Sequence, residues 1–576
     1  MIGTVNSNLI ILLDFMLLFS LLIKYSRKPE KAFGITLLWL LITKQVNNHQ
    51  IIISIGNESV LILVLLILCS STLEKTKILS KVSQYIISDN FKLSWIRLYI
   101  ISSISSSVIN NTAVVSTLIN KIKNNNFHPS NKLLITLSYA SIIGGTLTLV
   151  GTSTNLIING LLLDNNLTPF GFFDFTFIGT TIIIICLPFL FLLLNRIPDK
   201  SNKPLLATNY FVDFKVKNKS KLIGNTIDKN KLRNLESLFL TEIIRNNNVI
   251  SPVSPKEIIQ SGDRLIFSGD IKRISQLKNF DGLTSFANTQ GLPVDNLIEV
   301  VLRGESSIVG KTLKQVRFRS LYDSAVVGIH RNGDTLSGKL GTQKLKSGDY
   351  LTLATGENFI KNKEIKKNFF VISDIKTDEV FNGFKEYISV VGFFTALLFP
   401  ALGFISLFKS LLILLLTLLI TKCINIDDII HRLPIRLWST IISAMLFSQA
   451  IINSSIPEYI TKIAVNNHFI TPVTGLILLY ISTWIITELI TNNAAAILIF
   501  PVAYSLSRSL NIEIHPFALC VAFAASASFV SPYGYQTNLM VFSAGKYKLT
   551  DFIKIGLPIS ILYGIIVIYL LNYLYL

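Results

Sequence analysis

Apolar runs with few charges fill both ends of the chain, and a polar stretch divides them. Leu9–Ile23, Val60–Leu73, Phe175–Leu194, Tyr387–Ile405, Leu407–Ile420, Leu437–Ile452 and Ile553–Leu574 each predict a membrane span, being near the ~17–25 apolar residues that cross a bilayer as one helix. Residues 199–382 are charged and turn-rich, with strand-like runs such as Arg264-Leu-Ile-Phe and Tyr350-Leu-Thr-Leu. The pattern predicts a polytopic α-helical membrane protein in which a soluble α/β insert separates membrane halves 1–198 and 383–576.

The insert repeats itself. LIGNTI at 222 answers IVGKTL at 308, RNNN at 245 answers RNGD at 331, and SGDRLIFSGD at 261 answers SGDYLTLATG at 347, each pair 86 residues apart. Three equal offsets without an insertion predict two copies of one small domain, 199–285 and 286–382. The membrane halves repeat more weakly. NNTAVVSTLI at 110 answers NNAAAILIFP at 492, and GTSTN at 151 answers GYQTN at 534, offsets of 382 and 383. Each half reads as three spans, a polar-tipped segment, a broken span and a last span.

Charge orients the halves, because Lys and Arg concentrate in cytoplasmic loops. Lys24, Arg27, Lys28 and Lys31 follow the first apolar run, which places the N-terminus outside and argues against a cleavable signal peptide. Lys75, Lys77 and Lys81, then Lys121, Lys123 and Lys132, put both ends of Leu93–Ile122 inside, so this stretch is expected to be a re-entrant hairpin with its tip at 110–112. The broken span, roughly 133–163, crosses outward to an acidic loop, Asp164–Asp174. The second half starts inside and runs inverted. Its hairpin tip, 491–493, opens from outside, and its broken span, about 517–543, ends inside beside Lys546 and Lys548, leaving the C-terminus outside. Arg508 is the one charge that departs from this scheme. Inverted repeats with broken, polar-tipped elements characterise secondary transporters.

Composition agrees: 50% of residues are hydrophobic and 15% charged, against about 25% charged in soluble domains, and mean hydropathy is +0.54. The net charge of +19 does not imply a nucleic-acid partner, since no zinc-finger or basic-aromatic module accompanies it. Cys69, Cys186, Cys423 and Cys520 lie in or beside apolar spans without paired spacing, as small buried hydrophobes do.

The polar clusters carry the chemistry. Amides and hydroxyls are costly in hydrocarbon unless satisfied, and irregular backbone is tolerated there only against protein or a water-filled cavity. The tip residues Asn110-Asn111-Thr112 and Thr491-Asn492-Asn493 offer hard oxygens suited to Na⁺. In GGTLTLVGTSTN, 144–155, Gly144, Gly145 and Gly151 break a helix, and Thr152, Ser153, Thr154 and Asn155 follow. In SPYGYQTN, 531–538, Pro532 and Gly534 break it, and Gln536, Thr537 and Asn538 follow. A helix restarting after each break points its positive end at the gap, which favours an anion. Any single Asn or Thr could equally be interhelical packing glue; four clusters at matched positions point to one anion site flanked by two cation sites. Glu488 is read as a buried acid that holds the second hairpin or tunes a cation site, and Asp14 as a snorkelling or structural residue.

These four motifs, in this order, resemble the divalent anion:sodium symporter family, the sodium:sulfate and sodium:dicarboxylate carriers, in which Ser-Asn-Thr motifs sit at both hairpin tips. Asn110-Asn111-Thr112 and Thr491-Asn492-Asn493 stand for those motifs, the second preceded by the family-like TEL at 487–489. The resemblance implies Na⁺ ligands among Ser106, Asn110, Asn111, Gly151, Thr491, Asn492 and Gly534. It implies anion contacts from Asn111, Thr112, Thr152, Ser153, Thr154, Asn155, Asn492, Asn493, Gln536, Thr537 and Asn538. Asn110 and Thr491 replace the family Ser, and Asn493 replaces Thr, which counts against a carboxylate; resemblance to the family's subgroup of sulfate-type carriers with a regulatory insert implies sulfate or a similar small oxyanion. The insert resembles a tandem pair of the TrkA-C-like (RCK C-terminal) regulatory domains, for an unidentified small ligand, and lacks a GxGxxG dinucleotide fingerprint.

The resemblance implies a Na⁺-coupled symporter of a small divalent anion working by alternating access, a homodimer in the plasma (inner) membrane, with Na⁺ as the coupling ion, no organic cofactor and no enzymatic activity. A di- or tricarboxylate or other oxyanion carrier of the same superfamily, coupled to Na⁺ or to protons, is the alternative; a cation channel gated by the insert or a non-transporting sensor are rivals of other classes.

Overall fold

The computed structural model describes residues 13–452 and 471–576 except for short internal stretches, chiefly 78–81, 198–208, 233–237, 271–281, 286–296, 337–339, 356–358 and 373–380. The expected span Leu9–Ile23 lies only partly within the described residues, of which 16–22 are helical. In the first half, α1 (Pro29–Ile42), α2 (Asn48–Ile55) and α3 (Glu58–Ser70) precede α4 (Phe91–Ser106) and α5 (Asn111–Lys123), which are joined by a tight turn. Then come α6 (Ser130–Gly145), a break, α7 (Ser153–Asp164) and α8 (Thr176–Leu193). In the second half, α9 (Phe384–Ala401), α10 (Leu407–Ile420) and α11 (Ile435–Ile452) precede α12 (Pro472–Leu489) and α13 (Asn492–Leu510). After these come α14 (Ile514–Ser526), a break, α15 (Gln536–Ala544) and α16 (Leu549–Tyr575).

Five helical stretches among the described residues are long and apolar enough to cross a membrane: Asn48–Ser70, Thr176–Arg196, Phe384–Ala401, Pro472–Leu489 and Leu549–Tyr575. Local chemistry sets several ends. The Asn90 side chain accepts from the amides of Lys92 and Leu93 to start α4. Thr471 and Thr474 form a reciprocal capping box around Pro472 to start α12.

The halves interlock: α3 packs on α10, and α11 on α1. Close backbone approach tightens the centre. A Cβ at Gly144 would stand 2.2 Å from the Ser103 carbonyl oxygen, and one at Gly556 2.1 Å from that of Phe529. Asp14 is fully buried and accepts hydrogen bonds from Trp39 Nε1 at 2.6 Å and Gln45 Nε2 at 2.8 Å, so it ties the first helical stretch to α1 and the turn after it. The four cysteines are buried and free.

The insert holds two five-stranded antiparallel sheets. The first comprises β1 (Asn209–Val216), β2 (Leu238–Arg245), β3 (Asn248–Ile250), β4 (Arg264–Asp270) and β5 (Leu283–Ser285), in the order β3-β2-β4-β1-β5. The second comprises β6 (Leu297–Leu302), β7 (Ser324–Arg331), β8 (Asp334–Thr335), β9 (Tyr350–Thr355) and β10 (Phe369–Val371), in the order β10-β6-β9-β7-β8. Read from the other edge, the orders are the same. A register shift at Leu240/Glu242 recurs 86 residues later at Val326/Gly328. Arg245 binds Asp263 Oδ2 at 2.9 Å, and Arg331 binds Asp349 Oδ1 at 2.7 Å, each Asp being inaccessible to solvent at the turn that opens the following strand. In each pair a fully buried carboxylate is held by a partly exposed Arg, which explains why Arg and SGD recur together: removing the Arg strands a buried charge.

Candidate functional site

The site forms where the two tight helical turns meet the two breaks. In the first turn, α4 ends at Ser106 and α5 begins at Asn111; in the second, Thr487 sits near the end of α12 and α13 begins at Asn492. Ser106 Oγ donates to Asn111 Oδ1 at 2.6 Å, and Thr487 Oγ1 donates to Asn492 Oδ1 at 3.0 Å. Both pairs span five residues, and both asparagines are nearly inaccessible. Asn110 is exposed; its Oδ1 accepts from the Thr112 amide at 2.9 Å and so caps α5.

The backbone of each break lies on its own half. Thr148 Oγ1 donates to the Ser107 carbonyl at 2.6 Å and accepts from the Gly151 amide at 3.1 Å. A Cβ at Gly151 would lie 2.4 Å from the Gly145 carbonyl oxygen, and one at Gly145 would lie 2.6 Å from Asn111 Oδ1. In the second half, both Glu488 carboxylate oxygens are used: Oε1 accepts from the amides of Phe529 (3.0 Å) and Val530 (2.9 Å), Oε2 from that of Ser531 (2.7 Å). The acid holds the break open as a fixed, hydrogen-bonded loop.

Side chains cross to the opposite half. Asn111 Nδ2 donates to the Tyr535 hydroxyl at 2.9 Å, and Thr112 Oγ1 reaches Gln536 Oε1 at 3.5 Å. Ser153 Oγ donates to Asn493 Oδ1 at 2.9 Å. The helices follow, α5 packing on α15 and α13 on α7. Asn111 thus packs on Gly145 of its own half's break while its amide donates to the other half's, and Thr112 reaches across to Gln536.

The rest of the predicted set divides. Thr152 and Thr154 contact each other, and Thr154 also meets Ser526 at 2.8 Å. Asn155 Nδ2 donates to the Thr148 carbonyl at 2.9 Å, and Asn538 Nδ2 to that of Ser528 at 2.8 Å; both asparagines brace their breaks. Ser138 Oγ binds Thr537 Oγ1 at 3.1 Å and Asn538 Oδ1 at 2.7 Å. At Gly534 a Cβ would lie 2.5 Å from Ser528 Oγ, so the glycine makes room for that hydroxyl.

Three oxygens stand out: Thr491 Oγ1, Ser528 Oγ and Asn155 Oδ1 are buried without a hydrogen-bond partner. A buried polar atom left unpaired costs about 1–3 kcal/mol, so such atoms invite a ligand. No cluster of three His, Cys, Asp or Glu that could hold a metal occurs among the described residues; the three unpaired atoms are neutral hydroxyl and amide oxygens. The N-termini of α7 and α15 follow extended residues, Thr152 and Tyr535, whose side chains do not cap them. Their first-turn amides and dipoles can receive an anion.

The sequence matches the citrate transporter family over residues 16–507 and 439–576. The chain belongs to that family. A Chlamydomonas reinhardtii protein named as a regulator of the response to sulfur deprivation is 28% identical over 543 residues, 89% of this chain and 92% of that protein. Sodium/sulfate cotransporter 2 of the same alga is 28% identical over 387 residues, 64% of this chain but 43% of that longer protein. A sodium-dependent dicarboxylate transporter of Staphylococcus saprophyticus is 31% identical over 106 residues, 18% of this chain and 20% of that one. The protein is thus a multi-pass membrane transporter of a family whose members include anion carriers. In this transporter, Tyr535, Ser528 and Thr148 join the site although their types gave no signal. Position alone could have pointed to them, since Thr148 and Tyr535 lie within stretches already read as breaks and Ser528 lies within the second broken span.

Proposed function

We propose that this transporter is a Na⁺-coupled symporter of a small divalent oxyanion, sulfate first. The observation that carries the reading is the matched pair of hydroxyl–amide contacts, Ser106–Asn111 and Thr487–Asn492, each facing a helix break. Thr491 and Ser528 supply unpaired buried hydroxyl oxygens beside the second pair, and Asn155 supplies a carbonyl oxygen within the first break. Ser106, Asn110, Asn111 and Gly151 form one Na⁺ region, and Thr491, Asn492 and Gly534 the other. Thr112, Asn493 and the stretches Thr152–Asn155 and Gln536–Asn538 surround the anion between them, with Asn111 and Asn492 shared by both sets. Bound Na⁺ would order the turns and raise anion affinity, a coupling that by linkage works in both directions. In this reading the halves are inverted repeats with re-entrant hairpins, the insert is a cytoplasmic pair of TrkA-C-like domains with its own small ligand, both termini lie outside, and the carrier is a homodimer.

The test is uptake of labelled sulfate into proteoliposomes with and without an inward Na⁺ gradient. Uptake that rises at least several-fold with the gradient supports the reading; Na⁺-independent flux, or no sulfate flux, overturns it. A second reading, a di- or tricarboxylate as substrate, is favoured by the family match and the dicarboxylate relative. Unlabelled citrate or succinate that outcompetes sulfate would decide for it.

A further inference from the structure

The insert is not suspended clear of the membrane half. Its second sheet rests on the two crossed elements of the site. Lys123, the last residue of α5, forms a 2.6 Å ion pair with Glu299 of β6, donates to the Tyr350 hydroxyl and lies 4.8 Å from the centre of that ring. On α15, Ser543 Oγ donates to the Gly348 carbonyl at 2.7 Å, and Leu539 lies so close that a Cβ at Gly348 would be 2.7 Å from it. Val301, Tyr350 and Phe370 of the second sheet belong to the same apolar core as the membrane helices, whereas Phe214, Val216 and Leu265 of the first sheet form a core apart from it.

One contact reaches the site itself. Glu305, in the turn after β6, accepts from Gln536 Nε2 at 2.7 Å, and Gln536 begins α15. The first domain carries no acid at the place of Glu305: 86 residues earlier stand Lys219 for Glu305 and Arg264 for Tyr350, while Asp213 keeps the acid of Glu299. A carboxylate thus stands on an amide that, in the reading above, faces the anion.

We propose that Glu305 is a tethered competitor of the transported anion, so that the docked second insert domain holds the carrier inhibited and anion binding and docking oppose each other. Lys123–Glu299 and Ser543–Gly348 supply the grip, and Glu305 supplies the charge that competes for Gln536. A ligand that draws the insert away would activate transport without touching the membrane halves. The inference rests on Gln536 facing the anion.

Two measurements on the full chain test it. In proteoliposomes, Glu305→Ala and Glu305→Gln should both lower the KM for sulfate about three- to tenfold, because each removes the competing charge. Reduced uptake in Glu305→Ala restored by Glu305→Gln would mean that Glu305 merely positions Gln536, and would overturn the proposal, as would an unchanged KM in both. The second measurement needs no transport. In Lys123→Cys with Glu299→Cys, a short bifunctional thiol reagent should bridge the insert to α5, the four native cysteines being buried. Sulfate with Na⁺, or citrate with Na⁺ if that is the substrate, should slow bridging several-fold. Failure to bridge, or bridging that neither anion slows, overturns the proposal. Absence of sulfate uptake in the unaltered protein counts instead against the sulfate reading, and bridging still reports on docking.

Discussion

The two breaks are built at matched positions with different chemistry. In the first, Thr148 Oγ1 donates to the backbone carbonyl of Ser107. In the second, the Ser531 amide donates to the carboxylate of Glu488, which also takes the amides of Phe529 and Val530. Glu488 lies 381 residues after Ser107, and Ser531 lies 383 after Thr148, so the same two places touch in each half. One contact is a hydroxyl on a carbonyl, and the other is an ionisable carboxyl that gathers three backbone amides. The comparison teaches that matched scaffolds need not be built from matched chemical groups. The amides of residues 529–531 are consumed by Glu488, so an anion would lean on the first break and on the N-terminus of α15.

The largest effect should come from removing that carboxyl. Glu488→Ala would strand three backbone amides, each worth about 1–3 kcal/mol when unsatisfied. We expect a fall in thermal stability of several kcal/mol and loss of uptake, with Glu488→Gln intermediate because one acceptor oxygen remains. Ser107→Ala keeps its carbonyl and loses only the local bond from Ser107 Oγ to Ile104, so melting should move by less than about 0.5 kcal/mol. Equal losses in the two variants would erase the distinction between the breaks.

The glycines come next. Gly151 and Gly534 occupy corresponding places, yet an added Cβ would meet a fixed carbonyl oxygen, 2.4 Å away, at the first and a serine hydroxyl, 2.5 Å away, at the second. Gly151→Ala should therefore reduce uptake by more than about tenfold with no simple remedy, since 1.4 kcal/mol already corresponds to that factor. Gly534→Ala should be relieved by adding Ser528→Ala, which removes the clashing atom. If the pair is no better than Gly534→Ala alone, the clash is not what the glycine avoids.

Local punctuation made part of this architecture readable. Gly144, Gly145, Gly151, Pro532 and Gly534 stand where α6 and α14 give way to irregular backbone, because glycine and proline interrupt helices for reasons internal to the residue. The 86-residue spacing was readable for a similar reason: the strands and the buried Arg–Asp pairs need the same residue types in both sheets. Contacts between distant segments left no such mark. Tyr535 lies 424 residues from Asn111, and nothing in SPYGYQTN says that its phenol crosses to the other half. Glu305 lies in an ordinary turn sequence, and its meaning comes only from the docking of the second sheet on α15.

A smaller effect tests the crossed side chains. Asn111 has two partners, Ser106 and Tyr535, whereas Thr487 is the side-chain partner seen for Asn492 among the described residues. Asn111→Ala and Asn492→Ala should each weaken Na⁺ dependence. Tyr535→Phe should raise the Na⁺ concentration for half-maximal uptake only about three- to tenfold, the value of one net hydrogen bond of about 1 kcal/mol. Unchanged Na⁺ dependence in both asparagine variants would remove these turns from the cation sites.

The smallest effect lies at the loops that lead into the last helix of each half. Before α8, Asp174 Oδ2 meets His515 Nε2 at 3.0 Å, near the start of α14; before α16, the Tyr547 hydroxyl donates to the Asn131 carbonyl at the start of α6. Each loop thus clasps the other half's broken span, one through an ionisable pair and the other through groups that do not titrate near neutrality. The hydrogen bond from His515 holds the Asp174 carboxyl below the ordinary carboxylate range despite partial burial. Because the folded form prefers the ionised acid, its contribution is whole above about pH 4 and is lost as the pH falls through the lowered value. The difference in melting between the unaltered protein and Asp174→Asn should be less than about 1 kcal/mol at pH 7, since both groups are partly exposed, and should shrink as the pH falls below the ordinary carboxylate range. Tyr547→Phe should instead give a difference that does not change over the same range. If the two differences respond alike to acid, the clasps are not chemically distinct, and the asymmetry between the halves is confined to Glu488.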